Sequence, residues 1–89
     1  MGWRINVSRE ANNFLAENTF AIEEVKELVG KTICYFRGER VNVDIKKLKG
    51  AWRGFYRIRK GRIRIIAEFD FANSAIIVER IDWRGNVYK

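Results

Sequence analysis

Trp3, Ile5 and Val7 alternate with Arg4 and Asn6, the period-two pattern of a half-buried strand. Ser8 follows as an N-cap candidate, and Glu10 sits in the first turn of the helix it would open, where negative charge is favoured. A helix running to about Glu17 buries Ala11, Phe14 and Leu15. Thr19 offers a second N-cap, again with acids (Glu23, Glu24) just inside. Ile22, Val25, Val29, Ile33 and Phe36 then recur at three- and four-residue spacing, which predicts an amphipathic helix from about Phe20 to Arg37. Gly38 suits its C-terminal end, and Gly30 inside it weakens the helix by roughly 1 kcal/mol relative to alanine. So short a link predicts an antiparallel helical hairpin.

Residues Glu39 to Ala51 read two ways. Val41, Val43 and Ile45 alternate with polar residues, so the segment is either a short edge strand or a loop. From Trp52 the period is two. Trp52–Arg59, Arg62–Asp70 and Ala75–Ile81 read as strands, punctuated by Lys60-Gly61 and by Ala72-Asn73-Ser74. The expected fold is α+β: an N-terminal strand, then a two-helix antiparallel hairpin packed on one face of a three- to four-stranded, mainly antiparallel sheet. Residues 1–89 form one domain, without repeats, low-complexity tracts or proline.

Composition narrows the chemistry. There is no histidine, and Cys34 is the single cysteine. That excludes an internal disulfide, Cys–His nucleophile pairs and a histidine general base, and no cofactor or metal is expected. No apolar run reaches the roughly 18 residues of a membrane span, and no signal peptide opens the chain, so a cytoplasmic location is expected. The net charge of +7 is unevenly spread. Residues 1–45 carry six basic and seven acidic side chains, whereas residues 46–89 carry twelve and four. From Lys46 to Arg64 there are nine basic residues (Lys46, Lys47, Lys49, Arg53, Arg57, Arg59, Lys60, Arg62, Arg64) and no acid. Such a stretch is either a solvated face that maintains solubility or a surface for a polyanion, most often nucleic acid.

The hairpin around Lys60-Gly61 sharpens the choice. A two-residue turn there sets Ile58 opposite Ile63 and Tyr56 opposite Ile65, with Arg59 opposite Arg62 and Arg57 opposite Arg64. A four-residue loop preserves the same pairing. The isoleucines fall on one side and the arginines on the other. Like charges facing each other across strands cost up to about 1 kcal/mol per pair. Either these are simply two exposed cross-strand pairs, or Glu68, Glu79 or Asp82 satisfies the arginines, or the cluster is a preformed anion site. Guanidinium groups bond phosphate oxygens in pairs and stabilise the charge of a phosphorane-like transition state.

The segments Lys46-Lys47-Leu48-Lys49-Gly50, Tyr56-Arg57-Ile58-Arg59, Gly61-Arg62-Ile63-Arg64-Ile65-Ile66 and Asp82-Trp83-Arg84-Gly85-Asn86-Val87-Tyr88 together resemble the RelE/ParE toxin superfamily, in particular its RelE-like branch. The resemblance covers most of the chain, with the KLKG segment and the tail its most specific parts. It implies the toxin of a type II toxin–antitoxin pair, with a RelB-like antitoxin and the ribosome carrying mRNA in its A site as partners. It further implies metal-independent mRNA cleavage, in which the ribose 2′-hydroxyl attacks to leave a 2′,3′-cyclic phosphate and a 5′-hydroxyl. On the same footing, Arg57, Arg59, Arg64, Arg84 and Tyr88 would be catalytic. Arg64 and Arg84 would steady the scissile phosphate, and Tyr88 would orient or deprotonate the 2′-hydroxyl. Lys46, Lys47, Lys49, Arg53, Lys60 and Arg62 would bind RNA, and Trp83 would stack a base or cover the sheet edge. Two positions depart from the pattern: arginine stands where the strand pair is often lysine, and Trp83 where histidine is common. Arginine is a poor general acid, so cleavage would lean on charge stabilisation and on ribosomal groups. The alternatives are a ParE-like DNA gyrase inhibitor that cuts nothing, and a weakly active or inactive RNA-binding relative.

Overall fold

A computed structural model describes residues 2–83. Strand β1 (Arg4–Val7) leads into helix α1 (Arg9–Glu17) and then helix α2 (Ile22–Phe36). Strands β2 (Asp44–Lys47), β3 (Phe55–Lys60), β4 (Ile63–Asp70) and β5 (Ala75–Trp83) follow, with a 3-10 turn at Gly50–Trp52 between β2 and β3. All five strands form one sheet in the order β1-β5-β4-β3-β2. β1 runs parallel to β5 and every other pair is antiparallel. The α+β layout is as expected, but the sheet has five strands rather than three or four, because β1 joins it and residues 44–47 are an edge strand and not a loop.

Both helices lie on one face. Ile58, Ile65, Ile76 and Val78 from the sheet meet Ala11, Val25 and Val29 from the helices, all with no solvent exposure. Thr32, the one fully buried polar side chain among the described residues, donates its hydroxyl to the Leu28 carbonyl at 2.9 Å. Aromatic clusters cover the two ends of this interface. Phe36 packs against Tyr56, Phe69 and Phe71 at ring separations of 4.9, 5.2 and 5.2 Å. Phe14 and Phe20 pack against Trp83 at 5.3 and 6.0 Å.

Local chemistry accounts for most boundaries. Ser8 caps α1, its Oγ accepting from the Ala11 amide at 3.0 Å. α2 begins two residues later than the periodicity suggests. Its N-cap is Ala21, with no side-chain bond, while Thr19 is spent in the link at φ +50°. Gly38, at φ +90°, ends α2 in the left-handed conformation that favours glycine. Trp52 belongs to the 3-10 turn, not to β3.

The central hairpin holds the most consequential correction. Ile58 pairs with Ile65 and Arg59 with Arg64, while Arg57 faces Ile66. The turn residues are Gly61 and Arg62, not Lys60 and Gly61. Gly61 takes φ +60° as the first of the two, a conformation that a two-residue hairpin turn demands and lysine resists. The register is offset by two residues from the expected one. Side-chain direction has period two, so the offset leaves Arg57, Arg59, Arg64 and the isoleucines on their expected faces, while Arg62, expected beside the other arginines, moves into the turn. It also removes one like-charge pair, since Arg62 now sits in the turn.

β4 and β5 pair with an irregularity: Ile66 faces Arg80, but Ala67 faces Val78. Glu79 is the extra residue, and the N-cap of α1 holds it and the residue before it. The Ser8 amide donates to the Val78 carbonyl at 2.9 Å and the Ser8 hydroxyl to the Glu79 carbonyl at 2.6 Å.

Ser8 therefore ties helix start to sheet, and Ser8→Ala should cost about 1–2 kcal/mol in urea denaturation, from the lost cap and the orphaned carbonyl. The β4–β5 turn supplies a pH test. Asp70 accepts hydrogen bonds from the Asn73 side chain at 2.8 Å and the Asn73 amide at 3.2 Å, and these hold its carboxyl below its ordinary value. Its contribution to stability is therefore present above the unfolded-state value and lost as pH falls through the folded one. Asn73→Ala should raise the Asp70 titration midpoint in a carbon-detected NMR titration.

Candidate nucleic-acid interface

The pleat divides the sheet into a helix-covered face and an opposite face. On the opposite face the register sets side chains in rows across the strands. One row runs Asp44 (β2), Arg59 (β3), Arg64 (β4), Asp82 (β5). The next runs Lys46, Arg57, Ile66, Arg80. Arg57, Arg59 and Arg64 therefore share one face, as the hydrophobic pattern implied.

These arginines are braced by carboxylates. Asp44 accepts from Arg59 Nε at 3.0 Å and from Arg57 Nη2 at 3.3 Å. Asp82 accepts from Arg64 Nε at 3.0 Å. The two ion pairs differ in character. Asp44 is about half exposed (51%), whereas the Arg64 and Asp82 side chains retain only 7% and 21% exposure. Of the carboxylates weighed as partners in the sequence, Asp82 takes this part; Asp44 was not among them.

The remaining residues divide between surfaces. Lys46 adjoins Arg57, and with Lys47, Leu48 and Lys49 it lines a shallow recess of about 280 Å³ at the end of β2. Arg53 is exposed just after the 3-10 turn. Lys60, Arg62 and Trp83 do not join the arginine face. They line a cleft of about 280 Å³ on the helix side, with Phe20, Leu28 and Ile63 as apolar wall and Glu24 and Glu27 as acidic rim. Trp83 in particular is committed there. Its ring packs on Phe14 and Phe20, and its Nε1 donates to Asn18 Oδ1 at 3.0 Å. Trp83 is thus turned away from any RNA lying on the arginines. The neighbouring Lys31 ammonium lowers the Lys60 pKa. Arg84 and Tyr88 lie outside the described residues.

Two residues on the arginine face carried no sequence signal. Arg80 reaches it because of the bulge. Strict alternation from Ile76 and Val78 sends residue 80 into the core, whereas the extra residue Glu79 turns Arg80 outward while Ile81 stays buried. Trp52 reaches it because the 3-10 turn folds back. Its ring meets Phe55 at 5.1 Å, and the Arg80 guanidinium carbon lies 5.5 Å from its centroid, a cation–π stack.

The two carboxylates make separable contributions. Asp82→Ala removes the carboxylate that accepts from the Nε of a buried guanidinium and should cost about 3 kcal/mol or more. Asp44→Ala removes an exposed partner and should cost under about 1 kcal/mol. Chemical denaturation of the two variants in parallel measures the difference.

No protein-family model matches the sequence, and no curated protein matches it. Solved structures do. A metal-bound toxin from Helicobacter pylori superposes with a TM-score of 0.70 at 14% identity, over 97% of this chain and 99% of that one. The archaeal RelE–RelB complex from Pyrococcus horikoshii gives 0.64 at 21% identity, over 98% and 100%. The DinJ–YafQ toxin–antitoxin complex of E. coli gives 0.64 at 13% identity over the whole of both chains. Identities this low carry architecture and nothing finer, and the architecture is the same from end to end: this chain has the RelE-like toxin fold.

Proposed function

We propose that this protein is the toxin of a type II toxin–antitoxin pair and cuts mRNA in the ribosomal A site without a metal ion. The observation that carries the proposal is the gathering of Arg57, Arg59 and Arg64 on the sheet face that no helix covers among the described residues. A fold shared with toxins, some of them captured in complex with an antitoxin, supports the same reading.

In the proposed reaction the ribose 2′-oxygen attacks the adjacent phosphorus. The bond to the 5′-oxygen of the next nucleotide breaks, leaving a 2′,3′-cyclic phosphate, and that oxygen takes up a proton to become a 5′-hydroxyl. Negative charge gathers on the non-bridging oxygens, where arginine forks can meet it. Arg57 and Arg59 would hold the backbone, and Arg64 with Arg84 would stabilise the charge. Tyr88 would orient or deprotonate the 2′-hydroxyl. Arginine keeps its proton at any physiological pH. The proton for the leaving oxygen therefore comes from water or a ribosomal group. An acidic, amphipathic antitoxin would neutralise the toxin by laying a helix or strand against it. The site of action is the cytoplasm, where translated messages are found.

Primer extension on programmed ribosomes tests this. Wild-type protein should cut within the A-site codon, and Arg57→Ala and Tyr88→Phe should each lose about 10²-fold or more in rate while keeping their thermal melts. Intact message together with trapped gyrase–DNA complexes would establish the gyrase-inhibitor alternative instead. Arg64→Ala is a poorer probe, because it strands Asp82.

A further inference from the structure

We infer that Arg80, held by Trp52, forms with Arg57 a phosphodiester-binding subsite across Ile66, one row along from the Arg59–Arg64 pair. The inference deepens the RNA-cutting proposal and rests on it for the identity of the substrate, but not for the existence of an anion site.

Charge balance separates the two rows. In the Asp44–Arg59–Arg64–Asp82 row, two guanidinium groups face two carboxylates. The Lys46–Arg57–Ile66–Arg80 row places three cations around an isoleucine and contains no acid. The acids that do approach it come from outside. Asp44 reaches Arg57 Nη2 at 3.3 Å and Glu10 reaches Arg80 Nη2 at 3.9 Å. Neither serves an Nε. Both Arg57 Nε and Arg80 Nε are buried, and neither finds an acceptor among the described residues. Buried donors are nearly always bonded in folded proteins. These Nε atoms are closed to solvent, so an acceptor that the chain does not itself provide would meet the two forks at their Nη groups, since the Arg57 and Arg80 side chains are 20% and 41% exposed. A phosphodiester suits that row: its anionic oxygens take charge-assisted bonds from two forks at once.

The backbone has been shaped to put Arg80 there. The bulge at Glu79 turns it outward, and Ser8 holds the bulge through the Val78 and Glu79 carbonyls. Trp52 then lies against the guanidinium, which limits its freedom before any ligand arrives. Trp52 is on this view a positioning residue, and Arg80 a binding one. Rows lie two residues apart along the strands, about 6.6 Å. A nucleic-acid backbone running along β4 would meet the acid-free row and then the braced one.

Fluorescence anisotropy with a labelled oligouridylate, at several salt concentrations, tests the subsite without ribosomes. Arg80→Gln should weaken binding about ten- to hundredfold and reduce the slope of log affinity against log salt by about 0.7, the share of one phosphate on a single strand. Trp52→Ala should weaken binding a few-fold, with Trp52→Phe restoring most of it. Lys26→Gln, on the exposed side of α2, should leave both affinity and slope unchanged. A folding defect lowers the competent fraction but not the salt slope, so the slope separates the two explanations. The subsite is refuted if Arg80→Gln matches Lys26→Gln in affinity and slope, or if the wild-type protein shows no salt-dependent binding. Binding through Arg80 with no cleavage of ribosome-bound message would sink the endonuclease reading and leave the subsite standing. Unaltered cleavage by Arg80→Gln, with unchanged KM, would do the reverse.

Discussion

Strand β4 is where the structure's demands meet. Ile63, Ile65, Ala67 and Phe69 must enter the helix-covered core, and pleating then sends Arg64, Ile66, Glu68 and Asp70 the other way. Burial of those four apolar side chains, each worth roughly 1–3 kcal/mol for the larger ones, decides the orientation of the strand. The charged face is the consequence. No separate interaction is needed to bring Arg57, Arg59 and Arg64 together, because the isoleucines of β3 and β4 have already done so from beneath. The core and the candidate site are two sides of one alternation, and a substitution that slipped the register by one residue would destroy both.

That coupling explains what could be read from residues alone. Alternation is robust, so the shared face of Arg57, Arg59 and Arg64 is legible, whereas Arg62, expected with them, lies in the turn. Register is a finer quantity, set here by the backbone needs of Gly61, and a pattern of period two is blind to an offset of two. The edge strand β2 was ambiguous because Ile45 is its one inward apolar residue, facing Ile58. A strand that short relies on its neighbour and not on its own propensity. α2 was overextended at its start because Thr19 has the chemistry of a cap while the chain uses it in a turn. Arg80 and Trp52 were illegible for a stronger reason. A bulge breaks the periodicity from which strand faces are inferred, and a turn that folds back over a sheet leaves no periodic trace.

Two carboxylates keep the arginine face compatible with folding. Without them, Arg57, Arg59 and Arg64 would crowd like charges on adjacent strands. Asp82 braces Arg64 in a setting nearly closed to water, which fixes the guanidinium but spends its Nε on the protein. Asp44 is exposed and shared between two arginines, so water or an arriving anion can compete with it for their donors. The face thus combines a rigid pair, an exposed carboxylate shared by two arginines, and a row with no acid of its own. An anion gains most where the carboxylates in reach are exposed and distant rather than buried and bonded.

The chemistry follows from the same inventory. The arginine face offers charge and geometry, and arginine keeps its proton at any physiological pH. Its contribution to phosphoryl chemistry is to hold a phosphate and favour the more negative transition state. Guanidinium groups suit that work when preorganised, since donors already in place need no reorganisation as charge develops. Preorganisation is visible at three points: Asp82 on Arg64, Asp44 across Arg57 and Arg59, and Trp52 against Arg80. The Nε atoms of Arg57 and Arg80 are buried donors that find no acceptor among the described residues. Leaving such donors buried and unbonded costs stability, and the fold bears that cost while holding both guanidinium groups in the row that has no acid of its own.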